Sequence, residues 1–217
     1  MGVIMDIGSR VELVSMDPHF HEISIGLYRQ DGVNGPEFLV HTYSGKGGSE
    51  ERIAAVVEAM RILGGVEVSP RDPARIRHAC GGEHEFAIRR LFLEACKLDP
   101  AAAPLPYSRS VLDRKSGLTI EASAQEYGQY RVQAQEEAAD SANRVEVVVN
   151  GLKKLGEMLA VEGSDGVLAD CVAFGCGHDH HELVGLLLQR APNVRALVRE
   201  QDAASARGTL VAPSQQS

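Results

Sequence analysis

The chain is 217 residues long, 44% hydrophobic and 24% charged, ordinary globular usage that excludes wholesale disorder and allows one large domain or two small ones. Its formal net charge is −8. There are 11 basic and 14 acidic residues up to residue 98 and 11 and 16 after it, so neither part has the basic excess of a duplex DNA or RNA binder. No apolar run approaches the roughly 20 residues of a membrane-spanning helix, the first ten residues lack a basic-then-apolar signal pattern, and a cytoplasmic protein is the simplest expectation.

In chain order, residues 11–15 are a candidate leading strand, and the alternation of Ile23, Ile25 and Leu27 with Ser24, Gly26 and Tyr28 predicts a half-buried strand. The turn residues Asp31-Gly32-Val33-Asn34-Gly35-Pro36 then lead into EFLVHTY, a second strand and so a hairpin. Ile53, Val56, Val57, Met60 and Leu63 recur at the spacing of one buried helix face, which Gly64-Gly65 ends. A short strand, RIRHAC (75–80), precedes a second helix with Ile88, Leu91, Phe92 and Ala95 on its apolar face.

The same order then repeats. After residues 107–112, LTIEASA (118–124) and QYRVQAQ (129–135) form a hairpin around Tyr127-Gly128. A helix follows, with Val145, Val148, Val149, Leu152 and Leu155 on one face and Gly156 weakening or ending it. CVAFGC (171–176) and a last helix with Val184, Leu187, Leu188 and Ala191 complete the pattern.

The repetition is also written in the residues. ERIAAVVEAMRILG (51–64) aligns without gaps on NRVEVVVNGLKKLG (143–156), with Arg52/Arg144, Val56/Val148, Val57/Val149, Leu63/Leu155 and Gly64/Gly156 identical. CGGEHEFAIRRLFLEA (80–95) aligns on CGHDHHELVGLLLQRA (176–191), with Cys80/Cys176, Gly81/Gly177, His84/His180, Leu91/Leu187 and Ala95/Ala191 identical. The offset shifts from 92 to 96 between the blocks, so the second copy has a longer connecting loop. The expected fold is α+β, a tandem duplication of a ferredoxin-like β-β-α-β-α unit. Antiparallel sheets would carry helices on one face, and the two copies would pack about a pseudo-twofold axis. The boundaries are 1–98 for the first repeat, 99–106 for a Pro/Ala linker, 107–202 for the second repeat and 203–217 for a disordered tail.

Chemistry concentrates at the shared Cys-Gly-x-acid-His signature, Cys80-Gly81-Gly82-Glu83-His84 and Cys176-Gly177-His178-Asp179-His180. A strand ends and a helix begins there, which stabilises a thiolate and offers a following His as base or ligand. The bland alternative is that Cys fills the strand end, Gly makes the turn, the acid favours the helix start and His is a satisfied core residue. The second copy is richer: Cys176, His178, Asp179, His180, His181 and Glu182 place six donor residues within seven positions. We take Cys176 and His180 as the candidate catalytic pair, and His178, His181 and Glu182 as candidate metal ligands that share a helix face, with zinc the expected ion. His19 and His21 extend the parity of Ile23, and His41 has that of Leu39 and Tyr43; each is a hydrogen-bonded core histidine or a pocket wall. Ser44-Gly45-Lys46-Gly47-Gly48-Ser49 is a flexible loop and not a phosphate-binding P-loop. Cys80, Cys96, Cys171 and Cys176 are too sparse for a disulfide scaffold and are expected as reduced thiols.

Two functions follow as expectations. One is a small-molecule or metal site at the second junction, with hydrolytic or lyase chemistry if it is catalytic. The other is a non-catalytic ligand-binding or scaffold module in which the histidines are structural. Partners would be a small molecule and, in an oligomer, a second copy of the chain, with neither nucleic acid nor membrane.

Overall fold

The computed structural model describes residues 11–16, 23–32, 35–43, 47–82, 84–99 and 101–193. The expectations for His19, His21, Glu83, residues 44–46 and the tail at 203–217 lie outside the described residues. No helix among the described residues is long and apolar enough to cross a membrane.

Two similar units follow one another. The first runs β1 (Val11–Met16), β2 (Ile25–Gly32), β3 (Gly35–Thr42), α1 (Ser49–Gly64), β4 (Val66–Ser69), β5 (Asp72–His78) and α2 (Glu85–Lys97). The second runs β6 (Ser110–Asp113), β7 (Leu118–Ala124), β8 (Gln129–Ala134), α3 (Ser141–Gly156), β9 (Leu159–Gly163), β10 (Gly166–Ala173), α4 (His181–Arg190) and a single 3-10 turn, Ala191–Asn193. Each unit holds one antiparallel five-stranded sheet, in the orders β1-β2-β3-β5-β4 and β6-β7-β8-β10-β9. The fold is thus α+β, with two antiparallel sheets and four helices among the described residues.

The expected ferredoxin-like β-β-α-β-α unit is met only in part, because each unit is β-β-β-α-β-β-α. The leading strand is present in both, and β4 and β9 are additional. They leave little trace in the sequence because they are short edge strands in which only Val66 and Val161 are buried.

Registers match between the units. Phe38 pairs with Ile76 and Leu39 with Arg75; Tyr130 pairs with Val172 and Arg131 with Cys171, the same positions under the two alignment offsets. The hydrophobic alternation works as expected along the second hairpin, where Leu118, Ile120, Ala122, Tyr130 and Val132 are buried between more exposed neighbours. In the first hairpin Phe38 and Val40 point inward, whereas His41 is exposed, edge-on to Tyr28 and Tyr43.

One core joins the units: Phe38, Met60, Leu91, Tyr130, Leu152 and Leu187 belong to a single apolar cluster. Two of the sequence identities have a direct physical cause. A Cβ on Gly64 would press on Leu91, and one on Gly156 would stand 2.6 Å from Cδ1 of Leu187, so the same glycine seats the same leucine in each unit. Gly65, at φ 62°, closes α1, and Glu157, at φ 52°, does so for α3 without a glycine. Across the boundary, α1 packs on α4 and α2 on α3. Glu94, buried on α2, accepts from Arg90 one turn earlier and, at 2.6 Å, from Arg190 of the second unit.

The close Gly156–Leu187 contact makes a prediction. In an unconstrained helix a Gly→Ala change stabilises by about 0.5–1 kcal/mol. Here Gly156→Ala should cost about 1–3 kcal/mol by overpacking, read as a lower urea midpoint. A raised midpoint would show that Leu187 yields freely.

Candidate metal centre

Each unit turns from its last strand into its last helix in the same way. The N–H of Gly81 donates to the carbonyl of His78 at 2.9 Å, and that of Gly177 to the carbonyl of Phe174 at 3.0 Å. Both glycines are left-handed, at φ 69° and 71°, which explains their identity between the two units. His84 and His180 then precede α2 and α4, and their carbonyls accept the first helical bonds, from Ile88 and Val184, at 2.9 Å. The hairpin turns close over these junctions: a Cβ on Gly35 would lie 2.8 Å from the Gly81 carbonyl oxygen, and one on Gly128 2.6 Å from that of His178.

These junctions face one another across the boundary between the units. Cys80 Sγ lies 3.2 Å from His84 Nε2, and Cys176 Sγ lies 3.1 Å from His180 Nε2. The rings of His84 and His180 are 4.9 Å apart, and His78 stands 4.7 Å from the first and 4.4 Å from the second. At the position matching His78 the second unit has Phe174, edge-on to His84 at 5.3 Å and to His180 at 4.6 Å. Tyr130 fixes the approach of the second unit, its hydroxyl accepting the His180 N–H at 2.9 Å. Phe38, its counterpart by register, has no hydroxyl.

Burial dominates the electrostatics. It holds His78 down to about 3, with His180 and His84 adding to the effect, and His180 down to about 4, with His84 adding there. His84 is also lowered by burial. The imidazoles are therefore neutral near pH 7, the form that binds a metal. Burial likewise raises the Cys80 thiol above its ordinary value and pushes the Tyr130 hydroxyl up to about 12.

His78 is the anomaly. It is 1% exposed, and neither Nδ1 nor Nε2 has a hydrogen-bond partner among the described residues. An unsatisfied buried polar group costs about 1–3 kcal/mol. One donor atom each from His78, Cys80, His84 and His180 lie within 4.8 Å of one another, so the group could hold a metal ion. Three imidazoles and one thiolate suit zinc, whose bond lengths imply ligand separations of about 3.3–3.8 Å in a tetrahedral shell. Cys80 and His84 already stand near that spacing.

The sequence-derived candidates divide. Cys176 and His180 are brought together, and His180 belongs to the donor group. His178 is exposed and donates from Nδ1 to the Cys176 carbonyl at 2.9 Å. His181 is exposed beside Arg109 and Asp179, and the Glu182 carboxylate lies against Gly65 at the end of α1. These last three lie outside the buried donor group. His78 escapes a reading by motif because it sits before the shared signature; its signal is a histidine aligned with Phe174 at a buried strand position. The chain matches no known family model, no curated protein and no solved structure.

Two tests follow. In metal-free protein, His78→Phe should raise stability, by on the order of 1–3 kcal/mol, because it removes unpaired buried nitrogens and installs the ring of Phe174; a lower thermal midpoint would show that the imidazole is already satisfied. Under native alkylation with iodoacetamide at pH 8, peptide mapping should find Cys80 and Cys176 labelled before Cys96, which is fully buried with its thiol pushed up to about 12. Equal labelling of Cys96 would refute its burial.

Proposed function

We propose that the chain holds one zinc ion in the shell of His78, Cys80, His84 and His180, as a structural staple between its two units. The observation that carries this is His78, almost wholly buried with neither ring nitrogen paired among the described residues, in a donor group that spans the boundary. Structural zinc sites are closed four-ligand shells, whereas catalytic ones keep a position for water or substrate. Four protein donors fill a tetrahedral shell, so the chemistry favours a scaffold over a hydrolase or lyase. His180 is then a ligand rather than an acid–base catalyst, and Cys176 stands beside it as a thiol outside the shell. Phe174 in place of a second His78 favours one ion over two.

Matching registers, glycine turns and seated leucines support reading the units as copies of one ancestral unit about a pseudo-twofold axis.

The test is metal content by mass spectrometry on untagged protein purified without chelator, followed by zinc titration of stripped protein. Near one equivalent of zinc is expected, with a stabilisation of about 2.7 kcal/mol at a free zinc concentration a hundred times the dissociation constant. His84→Ala, His180→Ala and His78→Phe should each lose the ion, His78→Phe while remaining folded. Protein that neither takes up zinc nor gains stability from it overturns the proposal.

A further inference from the structure

Arg52 and Arg144 occupy matching positions on α1 and α3, and the two units treat them differently. Arg144 Nε donates to Asp113 Oδ2 at 2.5 Å. Arg52 is 1% exposed and donates from Nη2 to the Cys96 carbonyl at 3.0 Å, but its buried Nε has no partner and its guanidinium no carboxylate among the described residues. A guanidinium offers five N–H donors and stays charged, so a buried one without a counter-ion is costly. Arg52 lines a cavity of about 370 Å³ between α1 and the chain that follows α2. The second unit closes the equivalent space, because its 3-10 turn packs on α3, where a Cβ on Gly151 would collide with the Ala191 carbonyl. Ala59 stands at the position of Gly151 and carries that Cβ, so the chain after Ala95 does not approach α1 as closely and the cavity stays open.

We infer that this cavity binds a small monocarboxylate with a short apolar chain, its carboxylate paired with Arg52. Ala55, Ala59, Ile62, Leu98 and Pro104 give the chain an apolar lining, and Arg52 is the one cation among the lining residues. The two acids of the wall are already engaged. Glu58 accepts from Arg61 Nε at 2.8 Å and from its Nη2 at 2.7 Å, and Asp99 accepts from the Ala101 N–H at 2.9 Å. They leave Arg52 without a counter-ion and repel a second negative charge, which selects a monoanion over a phosphate dianion. A carboxylate matches the planar fork of a guanidinium, and burial of the apolar chain adds to what one charge pair supplies. The site shares no residue with the His–Cys donor group and does not rest on the zinc reading.

The experiment is calorimetric titration of the full chain with straight-chain carboxylates from acetate to octanoate, with hexan-1-ol and inorganic phosphate beside them. One equivalent of hexanoate should bind, more tightly than acetate, and hexan-1-ol and phosphate should bind at least about tenfold more weakly than hexanoate. Ala55→Leu fills the cavity and leaves Arg52 in place, whereas Arg52→Met removes the charge. Each should weaken hexanoate at least about tenfold, with circular dichroism checking the fold, and Ala55→Leu decides if Arg52→Met does not fold. Asp17, one residue beyond β1 and outside the described residues, is the competitor for Arg52 within the chain. Hexanoate binding that appears only in Asp17→Asn would assign Arg52 to that carboxylate and overturn the inference. So would wild-type protein that binds none of the carboxylates, undiminished hexanoate binding by either folded variant, or hexan-1-ol binding as tightly as hexanoate.

Discussion

The centre turns on a buried imidazole that no described residue satisfies. His78 ends β5 inside the joint between the units, 1% exposed, and neither nitrogen finds a partner among the described residues. A chain that leaves such a group dry gives up stability unless something outside the amino-acid sequence completes it. Both last strands end there, both last helices begin there, and both hairpin turns press on the intervening glycines, so the donors are placed by the backbone of two sheets rather than by one loop.

That placement sets the chemistry. Dryness keeps the three imidazoles neutral, so an ion has no proton to displace from them near neutral pH. Of the four donors only Cys80 is half-exposed. The four donors come from both units, so one ion held by them would touch both halves of the core.

Much of the architecture was legible in the sequence. Periods of 3.6 and 2 located the helices and the central strands because each buries one face on a shared core, and Gly64, Gly81, Gly156 and Gly177 recur because each unit needs the same close approach or left-handed turn. The edge strands β4 and β9 were not legible, since a strand that buries one side chain carries no alternation to detect. The site was half legible. Cys80, His84, Cys176 and His180 stand out as a repeated signature, but density of donors along the chain is a poor guide to convergence in space. The run from His178 to Glu182 turns most of its donors to solvent, while His78 arrives from a different strand and unit.

The ion pair between Glu94 and Arg190 has a further consequence. Under the repeat alignment these two residues occupy the same position, one in each unit, and they meet across the boundary. Two copies of the second unit set face to face in this way would oppose one partly exposed guanidinium group with another, whereas in the first unit Glu94 already has Arg90 as a partner. Glu94 is shared between Arg90 of its own unit and Arg190 of the other, so the carboxylate that anchors the second unit's last helix is one the second unit does not itself carry at that position.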